Sequence, residues 1–214
     1  MNKQKVILFS IIGLALLFVL GSYLYKGSQS EKIDEISKSN NEVFIREHST
    51  IVGPEDAKVT LVEFFDPACE ACRAFYPLVK KIMQENPGQI RHVFRYAPFH
   101  PDSDYIVKIL EAAKKQDKYF EALEVLFHHQ NKWASHHKPN IKMVWRILPS
   151  AGIDTEKLQE DLKDPKLEAI VLQDIADAKT LGVRKTPGFF VNGKPLQKFG
   201  YEELKAMIKS EIDK

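Results

Sequence analysis

Lys58-Val59-Thr60-Leu61-Val62-Glu63-Phe64-Phe65-Asp66-Pro67-Ala68-Cys69-Glu70-Ala71-Cys72 is the stretch that decides the fold. Lys58 to Phe65 is rich in β-branched and aromatic side chains with almost no polar break, the pattern of a strand buried on both faces of a sheet. Asp66-Pro67-Ala68 then reads as a turn, and a helical pattern runs from Cys69 to about Glu85, closing at Asn86-Pro87-Gly88. The two cysteines therefore stand at the beginning of a helix that follows a central strand.

Downstream, Ile90 to Tyr96 predicts a second strand, parallel to the first through this helical crossover. From Asp102 to about Gly182 apolar residues recur at helical spacing, as in Ile106, Ile109, Leu110 and Ala113 and later Leu123, Leu126 and Phe127. Breaks fall near His136 to Asn140 and at Pro149 to Gly152. The stretch is too long for one crossover and predicts a helical subdomain, about residues 102–182, inserted into an α/β core. The strand pattern returns at Gly188 to Val191, turns at Asn192-Gly193, a strong hairpin signal, and resumes from Pro195 to Phe199. An amphipathic helix from Tyr201 to about Ile212 follows.

Upstream, Val6 to Tyr25 is a run of twenty residues without a charge, enough at the helical rise to cross a hydrocarbon core of about 30 Å. Lys3 and Lys5 precede it, so the positive-inside bias keeps them in the cytoplasm and carries everything after Lys26 across. The expectation is a single-pass anchor in the cytoplasmic membrane at residues 1–26, with the rest on the periplasmic or cell-surface side. A cleaved signal peptide is the competing reading, with Val19-Leu20-Gly21 as a poor exit site. Residues 27–42 are polar and read as a linker, which leaves 43–214 as the folded domain.

The formal net charge is +2, and residues 1–26 hold three lysines and no acid, so the remainder carries 28 basic against 29 acidic side chains. Such a balance gives no long-range field to gather phosphate backbones and argues against nucleic acid as a partner.

Only two cysteines occur. A bridge between neighbours this close removes little unfolded-state entropy, so a purely structural disulfide is a weak explanation. A dithiol that cycles needs its attacking sulfur as thiolate, and a helix N-terminus supplies partial positive charge and free N–H groups to stabilise one. Cys69 has that position, and Cys72, one turn further in, is placed to close the ring. A structural zinc site needs four ligands; the pairs His128-His129 and His136-His137 read as solvated side chains, and neither metal nor cofactor is expected. Glu63 lies six residues before Cys69 in an otherwise apolar strand, a costly place for a carboxylate without work or a partner. Phe64, Phe65, Phe75, Phe189 and Phe190 read as core.

The strand and cysteine pair in VTLVEFFDPACEAC, the long helical insertion, and KTPGFFVNGKPL together resemble the DsbA-like branch of the thioredoxin superfamily. The resemblance runs from about His48 to the C-terminus and takes in the lead-in Gly53-Pro54-Glu55-Asp56-Ala57. It implies an α/β thioredoxin fold with an inserted helical subdomain and the activity of a protein thiol-disulfide oxidoreductase. Cys69 then matches the exposed nucleophile and Cys72 the resolving thiol of one redox-active disulfide. Thr186 and Pro187 match the loop whose proline is cis and faces the sulfurs, where outward backbone groups can pair with an extended substrate peptide. Glu63 matches the acid beneath the disulfide, which moves a proton to and from Cys72; the alternative is a strand-end carboxylate paired with a lysine such as Lys194 or Lys198. Pro77 matches a helix kink.

The family's strongest oxidants carry Pro-His between the cysteines, where this chain has Glu70-Ala71. A missing histidine and an acid beside Cys69 should disfavour its thiolate, which predicts a more reducing potential than theirs. The partners implied are exported cysteine-containing proteins and a membrane redox partner, either a quinone-coupled oxidase or a transmembrane electron donor, with a monomer as the expected state. The competing functions are a reductase dedicated to cytochrome maturation or copper handling, and a non-catalytic peptide-binding or chaperone module.

Overall fold

Val59 to Phe65 becomes the middle strand of a five-stranded sheet in the computed structural model, which describes residues 9, 11–24, 41–135 and 138–214. The chain divides into two units, Met1–Asn41 and Glu42–Lys214. In the first, residues 11–24 form a helix, α1, whose large apolar side chains, among them Leu14, Leu17 and Phe18, are exposed. Among the described residues no helix is long and apolar enough to cross a membrane. The expected span is thus not found among the described residues: helix α1 covers part of it, and its flanks, with Lys3, Lys5 and linker residues 27–40, lie outside them.

The second unit carries β1 (Thr50–Val52), β2 (Val59–Phe65), β3 (Ile90–Tyr96), β4 (Gly188–Val191) and β5 (Lys194–Pro195), ordered β1-β3-β2-β4-β5. β2 and β3 run parallel, Val59 opposite Ile90 and Phe65 opposite Tyr96, and the crossover between them is α2 (Glu70–Glu85), as the sequence predicts. The β1 strand is not anticipated in the sequence; three residues are too few to show an alternation. The strand expected from Pro195 to Phe199 is cut to Lys194–Pro195. Pro195 has no backbone donor to continue a ladder, and only one further bond, from Leu196 N–H to Phe189 O at 2.9 Å, follows it. The intervening turn is formed by Asn192 and Gly193, with φ of 47° and 77°, the left-handed pair that a tight hairpin requires. Asn192 also accepts from Thr60 N–H at 2.8 Å, which pins the hairpin to β2.

Between β3 and β4 come α3 (Ser103–Lys114), α4 (Tyr119–His128), α5 (Gln130–Trp133), α6 (Ile141–Ile147), a 3-10 turn (Leu148–Ala151), α7 (Thr155–Asp161) and α8 (Pro165–Thr180); α9 (Tyr201–Ile212) follows the hairpin. The insertion's breaks are chemical: Asn140, Asp154 and Asp164 each accept from first-turn N–H groups of the helices they precede, and Gly152, at φ 70°, ends the 3-10 turn.

One core packs Val59, Leu61, Ile90, Phe189 and Val191 of the sheet against Val79 and Ile82 of α2 and Leu204 and Ile208 of α9. Another joins Phe65, Phe94 and Tyr96 at the strand ends to the inserted helices and to both cysteines. Of the aromatics expected inside, Phe64, Phe65, Phe189 and Phe190 are buried, and Phe75 stacks between Phe189 and Phe199.

A buried ionic cluster fastens α8 to the sheet. Arg95 donates to Asp174 Oδ1 at 2.7 Å, to Asp177 Oδ2 at 2.6 Å and to the Val43 carbonyl at 2.8 Å. Arg46 clamps Asp177 through two bonds of 2.8 Å, and His48 Nε2 lies 2.6 Å from Asp174 Oδ1. Burial opposes ionisation of Asp177, yet Arg46 and Arg95 hold its carboxyl below the usual range. Arg95 is wholly enclosed, a position a charge tolerates only when paired in this way.

Candidate active site

Asp66, where β2 ends, organises the turn. Its buried carboxylate accepts from Ala68 N–H at 2.8 Å, Phe99 N–H at 2.7 Å, His100 N–H at 2.9 Å, His100 Nδ1 at 2.7 Å and the Ser103 hydroxyl. One side chain thus ties the turn after β2 to the loop that enters α3. The turn delivers Cys69 to the N-cap of α2 in an extended backbone conformation, and Cys72 to its first turn.

Both cysteines are free thiols, and their surroundings differ. Cys69 is 7% exposed and Cys72 0%. The Cys69 thiol donates to the Thr186 carbonyl at 3.3 Å, and the Asp66 N–H donates to Cys72 Sγ at 3.5 Å. The bond from the Cys72 thiol is the main influence pulling Cys69 down to about 5; burial works against it, while the Thr186 side chain and the N–H groups of Cys72 and Ala71 add to it. Cys72 is pushed well above the ordinary thiol range, first by burial, then by Cys69 and by the charge of Glu63. Glu70 is exposed, where its charge is screened, and it is not among the main influences on Cys69, which its close donors hold low.

The peptide bond between Thr186 and Pro187 is cis, as the resemblance implies, and this loop faces Cys69 through the Thr186 carbonyl. Glu63 is 3% exposed. Its partner is neither lysine proposed for it: Lys194 pairs with Glu211 and Lys198 with Glu203. Instead Glu63 Oε2 lies 2.9 Å from Nε2 of His92, a buried imidazole on β3 stacked 4.0 Å from the Phe94 ring. Sequence reading passed over His92, although a histidine in the apolar run Ile90 to Tyr96 raises the same question as Glu63. Gln130 of α5 was passed over as well; it reaches into the turn and donates to the carbonyls of Pro67 at 2.9 Å and Cys69 at 3.0 Å.

Among the described residues no group of three or more His, Cys, Asp or Glu side chains is arranged to hold a metal ion. The His128 and His129 rings touch at 4.6 Å, and His136 and His137 lie outside the described residues.

The family model described as thioredoxin matches residues 46–210. The probable disulfide bond formation protein D of Bacillus anthracis is 30% identical over 224 residues, covering 100% of this chain and 99% of that one. The Na(+)/H(+) antiporter NhaA of Herminiimonas arsenicoxydans is 31% identical over 147 residues, 69% of this chain but 23% of its own. The chain thus spans about a quarter of the length of the antiporters it matches. Oxidised BdbD from Bacillus subtilis superposes with a TM-score of 0.68 at 26% identity, over 78% of this chain and 95% of that one.

Proposed function

The chain belongs to the thioredoxin family, in its DsbA-like branch, and from that premise we propose that it is a thiol-disulfide oxidoreductase that introduces disulfides into exported cysteine-containing proteins. The observation that carries this reading is the opposed behaviour of the two sulfurs, Cys69 drawn down to about 5 and Cys72 pushed up. A sulfur ionised at neutral pH is a good leaving group, which makes the Cys69-Cys72 disulfide oxidising.

In the forward direction a client thiolate attacks Cys69 Sγ. The S–S bond to Cys72 breaks, and Cys72 leaves with the electron pair and takes a proton, which Glu63 supplies. A second client thiolate then attacks the client sulfur of the mixed disulfide and expels Cys69 as thiolate. The client loses two electrons and the protein gains them. In the reverse direction Glu63 accepts the Cys72 proton. The Thr186-Pro187 loop offers the client's backbone an extended edge beside Cys69.

Regeneration of the disulfide needs a membrane partner, and a quinone-coupled oxidase suits the oxidising poise better than a transmembrane electron donor. The apolar helix α1 supports attachment to the cytoplasmic membrane, with the domain on its outer side as a monomer.

Oxidative refolding of a reduced, unfolded substrate protein tests the reading. The oxidised chain should restore activity to the substrate, Cys69→Ser should abolish this, and Cys72→Ala carrying a glutathione mixed disulfide on Cys69 should accumulate client mixed disulfides as client thiolates displace the glutathione. Glu63→Gln should slow the step that involves Cys72 by about a hundredfold, the usual scale for a lost proton-transfer group. Refolding that proceeds equally well without Cys69 would leave only a peptide-binding role.

A further inference from the structure

Gln130 comes from the helical insertion, not from the thioredoxin core, and is 1% exposed. A primary amide has two N–H bonds to give, and its Nε2 reaches two main-chain carbonyls on either side of Ala68, Pro67 at 2.9 Å and Cys69 at 3.0 Å. The peptide between Pro67 and Ala68 is consequently gripped from both sides, because the Ala68 N–H is held by Asp66 Oδ1 at 2.8 Å. The Cys69 carbonyl is shared with the opening helical bond, from Arg73 N–H at 3.2 Å.

A peptide unit is planar, so a carbonyl fixed in one direction fixes its N–H in the other. With the Cys69 carbonyl held by Gln130 and Arg73, the peptide that begins α2 cannot rotate, and the free N–H groups of the first turn keep their orientation at the helix end where the sulfur sits. The rest of the amide argues that this grip is its purpose. Gln130 Oε1 is buried without a hydrogen-bond partner among the described residues. A leucine or methionine would fill the same space without desolvating that oxygen, so packing alone does not account for a glutamine.

We infer that Gln130 is a positioning residue for the redox site: by holding the Pro67 and Cys69 carbonyls it sets how the start of α2 presents its N–H groups to Cys69 Sγ, and thereby how readily that sulfur leaves as thiolate. The helical insertion then tunes the oxidant in addition to covering it. This deepens the proposed thiol-disulfide exchange and rests on it.

The test uses the full chain with Gln130→Met, close in volume but without donors, and Gln130→Glu, the same shape with a carboxylate that repels both carbonyls. Ultraviolet absorbance of the thiolate against pH reads Cys69 directly, and the equilibrium with glutathione reads the disulfide. Gln130→Met should raise the midpoint of the thiolate titration by about one pH unit and move the glutathione equilibrium about tenfold toward the disulfide, and Gln130→Glu should do more. A residue that merely packs would lower the thermal stability of both redox forms alike and leave midpoint and equilibrium where they are in the parent, and that result in either folded variant overturns the inference. Failure of the parent chain to equilibrate with glutathione would sink the proposed function instead, while the thiolate titration would still decide the part played by Gln130.

Discussion

Cys69 and Cys72 are chemically identical side chains three positions apart, and the difference between them comes entirely from where the chain sets each sulfur down. The Cys69 sulfur, near the mouth of the site, collects donors, chiefly the Cys72 thiol, and is drawn to about 5; the Cys72 sulfur, behind it, meets burial and the charge of Glu63. The depressed value of Cys69 belongs to the folded, reduced protein, whereas its unperturbed value is 9.0. Stabilisation of the reduced form by this thiolate therefore is absent below about pH 5, grows as pH rises through about 5 to 9, and is complete above. It amounts to an upper bound on the order of 5 kcal/mol. The disulfide form has no such thiolate, and the shift of Cys72 acts only above the same window. The melting temperature of the reduced protein minus that of the oxidised protein should accordingly increase from about pH 5 to about pH 8; a difference that stays flat across that range would contradict the low value for Cys69.

The turn between β2 and α2 shows how elements are held in register by one carboxylate. Asp66 satisfies donors from its own turn and from the loop entering α3, so it joins the thioredoxin core to the insertion at the redox site. Asp66→Asn keeps the shape but exchanges one acceptor oxygen for a donor that faces N–H groups. It should cost about 2–3 kcal/mol and accelerate hydrogen exchange at the Phe99 and His100 amides well beyond the change at β3. What could be read in advance at this scale follows the length of each signal. β2, β3, β4, α2 and α9 show their period over enough residues to be placed nearly to the residue, and Asn192-Gly193 announces its turn by composition. The role of Asp66 could not be read, because an aspartate before a proline is an ordinary turn residue and its partners lie 33 to 37 positions away. His92 and Gln130 escaped for the same reason. A polar residue in an apolar run signals that it needs a partner, but which partner depends on strand register and on how the insertion folds back.

At the scale of the molecule, the sheet is fastened to α8 by charges rather than by apolar packing alone. Arg95 is enclosed with Asp174 and Asp177 at its end and the Val43 carbonyl beside it, and Arg46 and His48 bring the segment before β1 into the same cluster. Removing one member strands the rest: Asp174→Ala leaves Arg95 with one carboxylate and the Tyr96 N–H with none, and should lower stability by about 3–5 kcal/mol in chemical denaturation of either redox form. Thiolate formation at Cys69 should be unchanged in that variant, since the cluster touches neither sulfur.

The complete enclosure of Cys72 behind Cys69 carries a consequence for timing. Under the proposed exchange, a client captured on Cys69 would be set free by its own second thiol or by the hidden sulfur within the same molecule. The latter exit is first order and runs at a pace indifferent to how much glutathione or any other small thiol surrounds the protein. A polypeptide that lacks a suitable second cysteine would therefore be released with a half-life set by the protein alone, a built-in safeguard against being blocked by unproductive cargo.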